Sequence, residues 1–281
     1  MRKPELLDNA KKKCFMICFL TKKVVRGCLL VVVLVLGGAP AFAQFSSPAR
    51  TIAVKNAGSL IKAAEFPELT FYMPDKASAV RFGLVKGGQS IWINALKSVC
   101  KPEGKGLQYT LTGRFIEKGK LIFDVLPLYQ TDGVIVRICG EDLPDSLSLF
   151  WAFGAACGKS VSDVQPGLNP SDCKNNVFVV ERNGMILYYP KGGLHEFSVF
   201  YTLFPIETSA LLSDAHRQNS PLELFSSGHK TDAQALCGMF PIRNGQCYYC
   251  SFYKPSTNYD VNYYRLPAVF DEVKNEDPKN N

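Results

Sequence analysis

Aromatic side chains are the residues of this chain best suited to contact a ligand. Trp92, Trp151 and Phe153 are the three candidates. Their flat faces could stack on sugar rings, and an indole N–H can donate to a hydroxyl group. Packing in a core is the competing interpretation, and it is the stronger one for Trp151, which has Phe150 and Phe153 as near neighbours in sequence. The tyrosines considered with them are Tyr72, Tyr188, Tyr189, Tyr248 and Tyr249.

Carboxylates are the second group that could do chemistry, because hydrolysis of a glycosidic bond needs only two of them across a sugar. The candidates in the first half of the chain are Glu65, Glu68, Asp75, Asp124, Asp132, Glu141, Asp142 and Asp145. Most lie at predicted turns or strand ends, where solvation alone explains a charge. No pair is nominated, so no catalytic residue is predicted.

Other motifs do not meet the spacing that their chemistry needs. Gly154 to Ser160 has three residues between its glycines where a phosphate-binding loop has four. The three histidines have no paired metal spacing, and Cys247 and Cys250 lack the second ligand pair of a zinc site. There is no Gly-x-Ser-x-Gly elbow. No cofactor or metal is therefore predicted.

The first 43 residues have the layout of a secretory signal peptide. Lysine-rich stretches precede an apolar run from Cys28 to Leu36, and the small-residue site Ala41-Phe42-Ala43 follows. The run is shorter than the roughly 20 residues of a membrane span. We expect an exported protein, periplasmic or secreted, with no stable membrane span after cleavage; an uncleaved signal anchor is the alternative.

Removal of this leader changes the charge and the cysteine count. Eight of the 32 basic and two of the 25 acidic residues lie in 1–43, so the remainder has 24 basic and 23 acidic groups and a net charge of +1. Such a balance argues against nucleic acid and suits neutral ligands. Seven cysteines remain, an odd number whose connectivity spacing does not give. Buried structural cysteines or a local Cys247–Cys250 disulfide are expected.

Beyond the leader, the sequence predicts an all-β fold, an antiparallel β-sandwich of the supersandwich kind. Alternating or continuous apolar segments separated by turn residues indicate the strands. Asp132-Gly133, Asn183-Gly184 and Asn244-Gly245 are hairpin signals. The predicted strands are Leu69–Met73, Ala79–Val85, Ser90–Asn94, Leu107–Ile116, Leu121–Leu126, Val134–Cys139, Leu147–Phe153, Val177–Val180, Met185–Tyr189, Met239–Phe240 and Tyr248–Tyr253.

Three segments depart from this strand pattern. Residues 160–174 are rich in proline, glycine and asparagine and form a long predicted loop. Residues 208–218 are predicted as a short helix with Ser209 as its cap, and Leu266 to Val273 as the opening of a linker helix.

Several stretches together resemble a known family. They are Glu65 to Pro74, Val80 to Leu84, Leu149 to Gly154 with Gly158-Lys159, and Asp172 to Asn176. They resemble an uncharacterised family of exported proteins from Gram-negative polysaccharide degraders, in which a β-sandwich precedes a six-hairpin α/α-toroid glycoside hydrolase domain. The resemblance covers roughly residues 60–264 and implies the sandwich part alone.

The departures from that family shape the domain prediction. Its members carry a further strand ahead of the position of Leu60, which we do not find, and they continue into the toroid. We therefore expect a signal peptide at 1–43, a β-sandwich at 44–264 and a truncated linker or tail at 265–281. 

Three functions remain open on this basis. The first is a non-catalytic carbohydrate-associated domain that binds a glycan or supports a separately encoded glycoside hydrolase. The second is a glycoside hydrolase that uses carboxylates of the sandwich. The third is a truncated remnant without independent function. The first is favoured, so the expectation leans away from an enzyme.

Overall fold

The structure is a computed structural model that describes residues 50–53, 59–73, 76–157, 167–174, 176–180, 184–190, 197–256 and 261–275. The predicted leader and Gly158 to Ser160 lie outside these residues, as do His195 and Asp75. No helix in the described ranges has the length and apolar character needed to cross a membrane.

Two antiparallel sheets form the fold, as the sequence predicted. Sheet I has the order β1-β2-β3-β4-β10-β15-β14, with β5 paired to the second half of β4. Its strands are β1 (Arg50–Ala53), β2 (Leu60–Ala63), β3 (Leu69–Met73), β4 (Lys76–Lys86), β5 (Gln89–Trp92), β10 (Ser148–Cys157), β14 (Ser209–Asp214) and β15 (Gln234–Pro241).

Sheet II completes the sandwich with the order β11-β12-β13-β16-β9-β8-β7-β6. Its strands are β6 (Lys97–Glu103), β7 (Gly106–Thr112), β8 (Lys120–Pro127), β9 (Gly133–Glu141), β11 (Val177–Val180), β12 (Gly184–Pro190), β13 (Phe197–Leu203) and β16 (Cys247–Tyr253). Most neighbours in this sheet are consecutive in sequence, as expected for antiparallel strands joined by short turns.

The apolar run in β10 explains how the two layers meet. Side chains alternate between the faces of a strand, so Leu149, Trp151 and Phe153 point into the core between the sheets. Phe150 and Ala152 point to the opposite face of sheet I, where a second apolar cluster covers them. The prediction that this strand is buried on both faces is confirmed.

Short helical segments cover the outer faces of both sheets. Helix α1 (Pro221–Phe225) and a 3-10 turn (Pro170–Cys173) pack on sheet I, and Phe225 meets Phe150 edge-on at 6.2 Å between ring centroids. Helix α2 (Leu266–Asn275) packs on sheet II. Its buried residues recur at the helical spacing of three and four, and are Leu266, Val269, Phe270 and Val273.

The predicted helix at 208–218 is wrong, because Ser209–Asp214 forms the edge strand β14 paired with β15. Alternate residues Ala210 and Leu212 pack against the core, which is the period of a strand. The helix begins later, at Pro221, where the Ser220 hydroxyl oxygen accepts from the Glu223 N–H at 3.2 Å.

Three further predictions need correction. The strand predicted at 107–116 ends at Thr112, because Gly113 leads into a 3-10 turn over Arg114–Ile116. A strand ahead of Leu60 does exist, since β1 pairs with β2. Asn244-Gly245 is not a hairpin, because β15 and β16 belong to different sheets. The Asn244 side chain instead bonds the backbone of Leu143, accepting at 2.6 Å and donating at 3.0 Å.

Candidate functional site

The sequence-predicted ligand contacts do not come together in the structure. Trp151 and Phe153 lie in the core between the sheets, where they are 0% and 1% exposed. Trp151 stacks on Phe204 with ring centroids 3.6 Å apart. Neither side chain presents a face to a ligand, which agrees with the core-packing interpretation. Trp92 lies on the opposite face of sheet I, in the cluster beneath α1.

Trp92 is part of a tight polar cluster rather than an open stacking surface. The Arg81 guanidinium lies 4.0 Å from its ring centroid, and its indole N–H donates to the Gln218 backbone oxygen at 3.0 Å. Arg81 also donates to the Gln218 side chain at 3.0 Å and pairs with Glu68 at 3.2 Å. The Gln218 amide donates in turn to the Leu168 backbone oxygen. These contacts hold the loops that contain Leu168 and Gln218 against sheet I.

The cysteines follow the alternation of their strands. Cys139 and Cys247 are direct cross-strand partners on β9 and β16 and form a disulfide. Of the two alternatives expected for these cysteines, the local Cys247–Cys250 disulfide is wrong. Cys250 is a buried structural cysteine, because it lies three positions on and points into the core. Burial raises the pKa of the Cys237 thiol to about 12, and raises that of Cys250 as well, so both stay protonated near neutral pH.

The described carboxylates of the candidate set make structural contacts or face solvent. Buried Asp132 accepts from the Ser59 hydroxyl at 3.1 Å, and Glu141 pairs with Lys120 at 2.7 Å. Glu65, Asp142 and Asp145 are exposed. Within the described ranges, no three His, Cys, Asp or Glu side chains are grouped so that they could hold a metal ion.

A buried ion pair lies on the outer face of sheet II beside α2. Asp124 is 1% exposed, and one of its oxygens accepts two hydrogen bonds from Arg137, at 2.8 and 3.0 Å. Its other oxygen accepts from the Gln108 amide at 2.7 Å. The guanidinium also lies 4.4 Å from the Phe270 ring centroid. Charge, hydrogen bonds and cation–π contact together fix this row of side chains under the helix.

Removal of the Asp124 carboxylate should destabilise the fold through this pair. Asp124→Ala leaves the Arg137 charge half-enclosed and without its main acceptor, and we expect a loss of about 2 kcal/mol in the free energy of unfolding. Urea titration followed by tryptophan fluorescence measures it. The exposed Lys120–Glu141 pair gives the matched control, since Lys120→Ala should change the free energy by less than about 1 kcal/mol. Equal effects of the two variants would contradict this account.

Partly exposed tyrosines surround α2 and form the strongest candidate surface. The tyrosine group consists of Tyr129, Tyr201, Tyr249 and Tyr263, which pack on the cluster beneath α2, and Tyr264, which is 69% exposed. 

Contacts to α2 and to the sheet hold the tyrosine group in place. Tyr249 meets Phe270 edge-on at 5.8 Å, Tyr201 stacks on Tyr253 at 5.8 Å, and Tyr263 and Tyr264 are 6.0 Å apart. Desolvation raises the pKa of the Tyr249 and Tyr263 hydroxyls, so both remain neutral donors. Half-buried rings with polar tips are well suited to contact sugars or a protein partner.

Sequence reasoning singled out Tyr249 but missed Tyr264, Tyr263, Tyr201 and Tyr129. Their common position depends on α2 packing on sheet II, which brings residues far apart in sequence together. A clue was present in the adjacent Tyr263 and Tyr264 immediately before an amphipathic helix. The side chains of Tyr188 and Tyr189 lie outside the described part of the structure.

Sequence comparison places residues 73–274 in a family described as a domain of unknown function, DUF4450, and the chain belongs to this family. A search of curated proteins finds no significant match.

Structural comparison finds a similar fold in a larger protein. A bacterial glucoamylase complexed with acarbose matches with a TM-score of 0.50 and 11% sequence identity. The match covers 84% of this chain and 36% of the glucoamylase chain, so this chain spans about a third of the length of that protein. At this identity the match shows a shared fold.

Proposed function

We propose that this chain is a non-catalytic, carbohydrate-associated β-sandwich of an exported polysaccharide-degradation system. It binds a glycan, or supports a separately encoded glycoside hydrolase, through the tyrosine group around α2. The observation that carries the proposal is that four partly exposed tyrosines pack on the single apolar cluster beneath α2, with the 69% exposed Tyr264 next to one of them. The likeness of the fold to part of a glucoamylase supports a carbohydrate ligand.

The two buried carboxylates of the described residues are both engaged in contacts within the fold. A glycosidase needs one carboxyl group to donate a proton and a second to act as nucleophile or base, both facing the same sugar. Here the buried carboxylate Asp124 is held by Arg137 and Gln108, and Asp132 accepts from Ser59. Each of these two carboxylates is committed to a contact within the fold.

Export is part of the same proposal. The leader pattern at 1–43 is typical of a signal peptide, and the Cys139–Cys247 disulfide is a feature of proteins in oxidising compartments. The resemblance to sandwiches that precede a six-hairpin hydrolase domain supports a hydrolase as the partner.

Loss of the Tyr264 ring should weaken glycan binding if the tyrosine group is the binding surface. We expect Tyr264→Ala to weaken binding about 3- to 10-fold, the value of one aromatic stacking contact. Tyr264→Phe should retain most of the affinity, because it keeps the ring. Isothermal titration with malto-oligosaccharides, and with a panel of neutral plant and host oligosaccharides, measures the change.

Val99→Ala is the matched control, because Val99 is 68% exposed on the far edge strand of the same sheet. Equal affinity of the wild type and Tyr264→Ala for a glycan that binds would place the binding surface elsewhere. Absence of binding across the panel, together with an empty pull-down against glycoside hydrolases, would refute the proposal.

A further inference from the structure

The Cys139–Cys247 disulfide lies on the outer face of sheet II, at one end of the pairing between β9 and β16. Cys247 is exposed and Cys139 is half-buried. Side chains alternate along β16, so Cys247 shares its face with Tyr249, while Tyr248 between them points into the core. The disulfide is therefore open to a reactant in solution.

Helix α2 covers a different part of this face. Among the described residues, the cluster beneath α2 contains Ile135 on β9 and Tyr249 on β16, and neither Cys139 nor Cys247 belongs to it. Exposed disulfides are the ones that exchange readily with thiols, whereas a buried disulfide reacts only after the surrounding structure opens. The position of this disulfide is thus that of a reactive bond.

The charges beside Cys139 allow an anionic thiolate to approach. Arg137 and Glu141 lie two positions before and after Cys139, on the same face of β9. Arg137 pairs with Asp124 at 2.8 Å, and Glu141 pairs with Lys120 at 2.7 Å. Each acidic side chain of these two pairs is balanced by a basic one, which limits the repulsion of a thiolate.

We propose that the Cys139–Cys247 disulfide is a thiol–disulfide exchange site, at which a dithiol reductant attacks the Cys247 sulfur while the chain stays folded. The attacking thiolate forms a bond to Cys247, the bond between Cys247 and Cys139 breaks, and the electron pair leaves on the Cys139 sulfur. The second thiolate of the reductant then displaces Cys247. The reductant is oxidised to its own disulfide, and its two thiol protons end on the two cysteines.

The structure explains both the site of attack and the survival of the fold. Cys247 is the attacked residue because it is the more exposed of the two cysteines. The chain stays folded because β9 and β16 remain paired beyond the disulfide, from Tyr248 and Ile138 to Tyr253 and Gly133. This inference goes beyond glycan binding and does not depend on it.

Reduction of the folded wild type by dithiothreitol tests the proposal. Samples taken over time are blocked with iodoacetamide and their peptides are mapped by mass spectrometry. We expect Cys139 and Cys247 to be labelled first, at a rate proportional to the dithiothreitol concentration and at least about tenfold faster than buried Cys237 and Cys250. The buried thiols are the internal control, because they react only when the chain opens. Labelling of all four cysteines at one rate, or a disulfide that stays closed in the folded chain, would overturn the proposal.

Reduced glutathione identifies the sulfur that is attacked. It carries one thiol, so an early quench traps the mixed disulfide, and we expect at least about tenfold more glutathione on the Cys247 peptide than on the Cys139 peptide. Cys139→Ser and Cys247→Ser are the matched variants. The thiol that remains at Cys247 should react with oxidised glutathione about tenfold faster than the thiol that remains at Cys139. Equal amounts of glutathione on the two wild-type peptides, or equal rates in the two folded variants, would contradict attack at Cys247.

Discussion

Trp151→Ala is expected to lower the free energy of unfolding by about 3–5 kcal/mol, the usual cost of truncating a large aromatic in a close-packed core. Trp151 is fully buried between the sheets and stacks on Phe204. Among the described residues, its indole N–H has no hydrogen-bond acceptor, so we attribute the expected loss to packing. Urea unfolding monitored by far-UV circular dichroism measures this loss of stability. Fluorescence is less suitable, because the variant removes a fluorescent tryptophan.

Gly238, the cross-strand neighbour of Trp151, allows an independent check of how tightly the Trp151 ring is packed. A methyl group on Gly238 would lie 2.2 Å from the indole Cζ2 atom, so Gly238→Ala should cost at least about 1–3 kcal/mol. Combination with Trp151→Phe should recover part of that cost, because the smaller ring leaves room. Additive effects of the two changes, or a Trp151→Ala cost below about 1 kcal/mol, would contradict the described core.

Replacement of both disulfide cysteines should have an effect of similar size. Cys139 and Cys247 are 108 positions apart in sequence, and a crosslink closing a loop of that length is worth about 5 kcal/mol, mainly through the entropy of the unfolded chain. Cys139→Ala/Cys247→Ala should therefore lower the urea midpoint of the wild type substantially under oxidising conditions.

A reducing agent supplies the matched control for the disulfide. It should lower the urea midpoint of the wild type towards that of the double variant and leave the variant unchanged. A wild type whose midpoint does not respond to reductant would show that the two cysteines are not linked. Peptide mapping without reduction should recover the Cys139 and Cys247 peptides as one species.

Most of the fold follows from local patterns in the sequence. The apolar alternation of β7 to β9 and the continuous apolar run of β10 predicted strands that the structure contains. Asp132-Gly133 marks a true hairpin, since β8 and β9 pair across it. The pattern at 208–218 is compatible with a short helix capped by Ser209 and also with an edge strand, and pairing with β15 decides for the strand.

Long-range contacts explain what the sequence did not reveal. Asn244-Gly245 has hairpin composition, but its strands enter different sheets, which depends on sheet order. As a tryptophan, Trp92 is well suited to contact a sugar. The sequence does not reveal that the fold places the Arg81 guanidinium over its ring. The tyrosine group depends on α2 packing on sheet II, which brings Tyr129, Tyr201, Tyr249 and Tyr263 onto one apolar cluster.

Simultaneous measurement of glycan binding and turnover tests the central claim most directly. The purified chain is titrated with oligosaccharides in a calorimeter, and each recovered sample is assayed for new reducing ends. The account predicts saturable binding of a glycan, weakened by Tyr264→Ala, with no reducing ends above the protein-free control. Release of reducing ends that disappears on a Glu→Ala or Asp→Ala change would contradict it and identify the sandwich as a glycoside hydrolase.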